Sequence, residues 1–173
     1  MCVDYNIYTN TLYLHFKACN TTSAWRIKVT TSQIGGKMSV VEELLREEQD
    51  GTISFGNYEL PAKAKLDNFK HGGDVLKVKT FKDITKLERN EMFVYESVPG
   101  TVVTHFVEDE NGVEFNVEGT EDAQITVGLE DNTEYNVFVN GAEIGKMSTN
   151  LGGKLNLSVE LEGKGPSKVK ITK

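Results

Sequence analysis

The second half of the chain alternates. Val113, Phe115 and Val117 are interleaved with Glu114, Asn116 and Glu118, the pattern of a strand with one dry face and one wet face. Ile125, Val127 and Leu129 form the apolar set of the next segment, and Tyr135, Val137 and Val139 that of the one after. Leu155, Leu157, Val159 and Leu161 then alternate without a break against Lys154, Asn156, Ser158 and Glu160, and Val169 with Ile171 marks a last strand. Residues 101–107 open the series, and 143–148 pair back across Asn140-Gly141. That dipeptide is the strongest hairpin signal in the chain, because both central residues of a type I′ turn need positive φ. Seven strands over 100–173 with turns about every 8–12 residues predict an Ig- or fibronectin-like β-sandwich.

Before residue 100 the pattern is less regular. Ser39-Val40-Val41-Glu42 fits a capping box. Val40, Val41, Leu44 and Leu45 follow at helical spacing, so an amphipathic helix of about ten residues is expected, stopped by Asp50-Gly51. A helix this short is marginal alone. Its stripe of Val41, Leu44 and Leu45 must dock on the neighbouring sheet or on a partner chain, which makes it the candidate partner-binding surface. Short strands are predicted at 52–55, 58–60, 75–81 and 91–97. Residues 62–70 are ambiguous, because Leu66 and Phe69 lie at helical spacing. The turn at 97–100 is taken as a join. The expected organisation is mostly β: a small β-rich module with one short N-terminal helix over 38–99, then the sandwich over 100–173.

Charge redraws the start of the chain. Of 173 residues with net charge −7, residues 1–37 carry Lys17, Arg26, Lys28 and Lys37 against Asp4, or +3. The remainder has 15 basic and 25 acidic groups, or −10. Cys2, Cys19 and Trp25 also fall in the first stretch, and Gly35-Gly36-Lys37 before Met38 is encodable as a purine-rich ribosome-binding site. Residues 1–37 are therefore expected to be translated leader; the alternative is a flexible arm with a strand over 10–16. An acidic chain has no general attraction for phosphate backbones or anionic lipid. No nucleic-acid partner is expected, despite the basic tint of Lys63, Lys65, Lys70, Lys77, Lys79, Lys82 and Lys86. No run approaches the ~20 apolar residues of a membrane helix, and no secretory signal pattern stands out. The expected location is cytoplasmic, with no membrane partner.

Leu129, Thr133, Tyr135 and Val137 stand in a spacing that resembles the corner before a late strand of fibronectin type III domains. The resemblance implies a tyrosine corner at Tyr135, the hydroxyl bonding to backbone upstream. Asp131 replaces the usual proline, and only three predicted strands precede the corner, so the sandwich and the corner carry over rather than the strand order. A second resemblance spans 38–173. Gly51-Thr-Ile-Ser-Phe-Gly-Asn-Tyr58, Lys77-Val-Lys-Thr-Phe81, Tyr95-Glu-Ser-Val-Pro-Gly-Thr101 and Asn150-Leu-Gly-Gly-Lys-Leu155 look like segments of short proteins of anaerobic gut Firmicutes that carry the label endosialidase. The residues do not bear that activity out. Sialidases grip the substrate carboxylate with three arginines. This chain has Arg26, Arg46 and Arg89 only, and no Ser-x-Asp-x-Gly-x-Thr-Trp repeat.

Other chemistry is sparse. His15, His71 and His105 stand in no metal spacing, and no nucleophile elbow, phosphate loop or dinucleotide fingerprint occurs. The carboxylates at 108–110, at Glu118 with 121–122, and at 130–131 read as solubilising turn charge. No catalytic residue, metal or cofactor is expected. Tyr95 and Phe138 are candidate glycan-stacking residues; Tyr135, Asn140 and Gly141 are structural. The expected function is non-catalytic binding or assembly with an unknown protein partner or by self-association. The alternative is a glycan-directed protein, either a carbohydrate-binding module or a degenerate hydrolase.

Overall fold

The alternation read along the chain becomes two facing antiparallel sheets. The computed structural model describes residues 40–173 in full and residues 2–8, 11–17 and 26–29 as strands. The chain divides into Met1–Gly36 and Lys37–Lys173. The first unit holds β1 (Cys2–Tyr8), β2 (Thr11–Lys17) and β3 (Arg26–Val29), paired antiparallel in that order. β2 covers most of the strand expected over 10–16.

The second unit holds β4 (Leu45–Glu47), β5 (Ile53–Phe55), β6 (Ala64–His71), β7 (Asp74–Phe81), β8 (Ile84–Arg89), β9 (Met92–Val98), β10 (Val102–Asp109), β11 (Gly112–Glu118), β12 (Ala123–Gly128), β13 (Glu134–Val139), β14 (Ala142–Ser148), β15 (Lys154–Val159) and β16 (Ser167–Thr172). One sheet has seven strands in the order β14-β13-β16-β11-β10-β5-β4; the other has six in the order β15-β12-β9-β8-β7-β6. Their inner faces share one apolar core. Tyr95 from the six-stranded sheet meets Phe55 and Phe115 from the seven-stranded sheet edge-on, at centroid distances of 5.4 and 5.6 Å. Phe106 closes the aromatic cluster at 5.7 Å from both phenylalanines. The fold is a β-sandwich.

The predicted strands over 100–173 are present as β10 to β16, and β15 buries Leu155, Leu157 and Val159 as its pattern requires. The join at 97–100 is not a boundary. β5 pairs with β10 and β9 pairs with β12, so both sheets take strands from each side of it. Sequence patterning is local, whereas these pairings are not.

Among the described residues there is no helix. Over 40–50 the chain makes a turn and then β4; Ser39, the expected cap, lies outside the described residues. The Leu44 amide bonds to the Val41 carbonyl at 3.0 Å, and Leu44 sits at φ 70°. The Val41 amide reaches the Gly56 carbonyl at 3.1 Å, and Leu45 pairs with Phe55. Val41 and Leu45 are four residues apart because a tight turn followed by a strand buries both. Adjacent β-branched valines weaken the helical alternative.

Bulges explain the other irregular stretches. Leu66 and Phe69 both pack on the core because β6 bulges between them, with Asn68 at φ 63°. In β10 the bulge falls at His105, φ 51°, so Val103 and Phe106 face inward together. An inserted residue shifts the period of two by one position, which imitates helical spacing.

Beneath the 56–57 and 99–101 segments runs a buried hydroxyl network. Thr80 Oγ1 and Thr85 Oγ1 lie 2.8 Å apart, and the Asn57 amide donates to Thr80 at 2.8 Å. Thr85 Oγ1 donates to the Thr101 carbonyl at 2.7 Å and accepts from the Thr101 amide at 3.1 Å. Thr101 Oγ1 is shared with Ser97 at 2.8 Å and with the Tyr95 hydroxyl at 3.0 Å. Burial pushes the Tyr95 phenol far above its ordinary value, despite those hydroxyl contacts.

Candidate functional site

β13, β16 and β11 lie side by side in the seven-stranded sheet, and their alternation turns polar side chains outward. On β13 that outward row includes Phe138, whose register partner on β16 is Lys170, whose partner on β11 is in turn Glu114. An aromatic ring therefore stands beside a cation and an anion. Glu114 is bridged by two ammonium groups, Lys168 at 2.6 Å and Lys170 at 3.5 Å. The Lys168 contact, above all, holds its carboxyl below the usual range.

Phe138 is half-buried and lines a groove of about 500 Å³ with Glu114, Gly141, Lys168, Lys170 and Thr172. A second depression of about 360 Å³ shares Glu114, Lys170 and Thr172 and runs on to Asp109 and Asn111. Together they form a shallow track across the sheet, lined by one aromatic side chain, ammonium donors and carboxylate acceptors.

The Asn140-Gly141 turn fixes one end of this track. It joins β13 and β14 as a two-residue loop with φ of 53° and 80°, the type I′ geometry. Asn140 also clasps β16: its Oδ1 accepts the Lys168 amide at 2.8 Å, and its own amide donates to the Lys168 carbonyl at 2.7 Å. The turn thereby holds Lys168 beside the groove. At the opposite end of β13 the Tyr135 hydroxyl accepts the Glu130 amide at 3.3 Å, the upstream backbone contact of a tyrosine corner. Thr149 completes that corner, donating to the Glu130 carbonyl at 2.7 Å and accepting the Thr133 amide at 3.0 Å.

The remaining candidates scatter. Tyr95 is fully buried in the aromatic cluster, so no sugar ring reaches it. Its place in an alternating strand was legible, but not which face was dry. Val41 and Leu45 are buried and Leu44 is half-buried against the core, so the proposed docking stripe is interior. Only Phe138 among these residues stands outward.

His105 lies on the β10 bulge with its ring half in solvent. Its Nδ1 is 3.2 Å from Asp50 Oδ2 and 3.2 Å from Thr52 Oγ1. A hydroxyl–imidazole–carboxylate relay needs the two partners on opposite ring nitrogens; here both face one. Asp50 serves the turn instead, accepting the Thr52 hydroxyl at 2.6 Å, which with the Thr52 amide holds its carboxyl low. No group of three or more His, Cys, Asp or Glu among the described residues converges as for a metal ion.

Reading Glu118 as turn charge missed its position. Its side chain is 3% exposed and accepts the Tyr58 hydroxyl at 3.4 Å. Its place on the polar side of an alternating strand gave no sign of burial.

Compared with known proteins, the chain matches no family model, no curated protein and no solved structure.

Proposed function

We propose that this chain is a non-catalytic binding protein and that it takes a glycan along the track beside Phe138. One observation carries the reading. The outward aromatic of β13 stands in a groove whose other walls are lysine, glutamate and threonine, on strands clamped at both ends. A sugar ring offers an apolar C–H face for stacking and hydroxyls that both donate and accept, which this wall set complements.

Glycan-array screening of the full chain, followed by calorimetry, tests it. Saturable binding that Phe138→Ala abolishes and Phe138→Trp retains is the expected result. Absence of any glycan ligand, or a ligand indifferent to Phe138→Ala, overturns it.

Self-association is a second reading, favoured by β15. This strand is paired on one side only, to β12, and its register runs without a bulge. A regular open edge is a template for another strand. Light scattering that finds a monomer across a wide concentration range removes that reading.

A further inference from the structure

The outer face of the six-stranded sheet breaks a pairing rule. Lys65, Lys79 and Lys86 occupy directly opposed positions on β6, β7 and β8. Neighbouring strands lie about 4.8 Å apart, and like charges directly opposite one another destabilise a sheet. The chain as a whole is acidic, at −7, yet this row meets a carboxylate only at its β9 end, where Glu96 stands opposite Lys86. These lysines converge with Lys77 and Glu88 on a depression of about 170 Å³.

Glu88 offsets only part of the charge. It pairs with Lys86 at 2.8 Å and lies 3.8 Å from Lys77, which is also 3.6 Å from Asp67. Lys65 and Lys79 take part in no ion pair among the described residues, and Lys79 is half-buried in the middle of the row. The lining therefore sums four ammonium groups against one carboxylate. A row of like charge only partly offset, by Glu88, by Asp67 beside Lys77 and by Glu96 opposite Lys86, is what a charged ligand would relieve further.

We propose that this depression binds a phosphate monoester. The charge fits: such a group carries about −1.5 to −2 at neutral pH, more than a carboxylate offers. The geometry fits as well. Lysines are compact point charges, suited to separate oxygens of a tetrahedral group; planar carboxylates are matched by arginine forks. The volume admits the phosphate and leaves the rest of its carrier lying across the sheet. Phe93 beside it is covered by the Lys154 ammonium, 4.5 Å from the ring centroid. Base stacking on that ring is thereby disfavoured, and a nucleic-acid strand is the less suitable carrier. This site lies on the opposite sheet from the Phe138 track and does not rest on the glycan reading.

The test is an NMR titration of the isotope-labelled full chain with inorganic phosphate, with phenyl phosphate as the ester and sodium acetate at matched ionic strength as the control. Saturable shifts confined to the β6–β8 face, with phosphate and its ester binding more tightly than acetate, are expected. Lys79→Gln should weaken binding roughly tenfold or more, while Lys154→Gln, outside the depression, leaves it unchanged. Without ligand, Lys79→Gln should melt no lower than the native protein, because it relieves repulsion. Phosphate should raise the melting temperature of the native chain and not of Lys79→Gln. Non-saturating shifts spread over the surface, equal affinity for acetate, or indifference to Lys79→Gln each overturn the proposal. A negative glycan screen leaves it standing.

Discussion

Thr85→Val is a sharp probe of how the two sheets are tied together at one end of the sandwich. Valine keeps the shape of threonine, so almost no cavity opens; only the hydroxyl goes. That hydroxyl accepts the Thr101 amide, donates to the Thr101 carbonyl and touches Thr80 Oγ1, all fully buried. Thr80 keeps the Asn57 amide. The two Thr101 backbone groups lose this partner, and a buried polar group left unsatisfied costs about 1–3 kcal/mol. The expected loss is therefore about 2–5 kcal/mol, a large share of the ~5–15 kcal/mol that holds a domain folded. Urea unfolding followed by far-UV circular dichroism reads it as a lower midpoint at unchanged slope. Thr126→Val is the matched control, since that hydroxyl bonds Asn156 Oδ1 at 2.6 Å on the exposed face; it should cost less than about 0.5 kcal/mol. If Thr85→Val behaved like Thr126→Val, the network would be incidental and the reasoning wrong.

Tyr135→Phe should cost about 1 kcal/mol, and the Glu130 amide, which bonds that hydroxyl, should exchange faster by hydrogen-exchange NMR while the β11 amides do not; equal rates at Glu130 would argue against the corner. Stability should also fall on acidification. Hydrogen bonds hold several carboxyls below their ordinary values: Glu48 through Ser54, Asp50 through Thr52, Glu88 through Lys86, Glu114 through Lys168 and Asp122 through the Glu162 and Leu161 amides. A depressed folded pKa gives stability that is complete above the unfolded value of about 4 and lost as pH falls through the folded one. Melting temperature should thus be flat from neutral pH to about 5 and drop below 4. Asp122→Asn should shallow that acid limb, and an unchanged limb would show that Asp122 contributes nothing to it.

What the chain revealed in advance follows from where each interaction reaches. The β11 and β15 alternation, the Asn140-Gly141 hairpin and the Tyr135 corner are local, each written within a few residues, and each was legible. Leu66 with Phe69, and Val41 with Leu45, read as helical because bulges and tight turns also place apolar residues three or four apart. The fate of Tyr95 depended on which sheet it would face, which no nearby residue states. The lysines of the 63–86 region were visible as a basic tint. Their meeting in one depression needed the pairing of β6, β7 and β8, and the row next to Phe138 needed β16, some 30 residues further on, to fall between β13 and β11.

The interleaving of the two sheets also bears on the order in which the protein is made. Synthesis proceeds at about 5–20 residues per second, and β6 to β9 emerge as a meander whose pairings with one another are already available, while the β12 side of β9 stays open. Its dry face, with Leu76, Val78, Leu87 and Tyr95, has only the short β4–β5 hairpin, through Phe55, to cover it until β10 and its successors leave the ribosome. The β4–β5 hairpin waits longer still for its neighbour, since Ile53 pairs with Phe106. For several seconds the nascent chain thus carries a four-stranded sheet with a greasy side and an open edge, a state that a chaperone would recognise and that crowded polysomes would tend to aggregate.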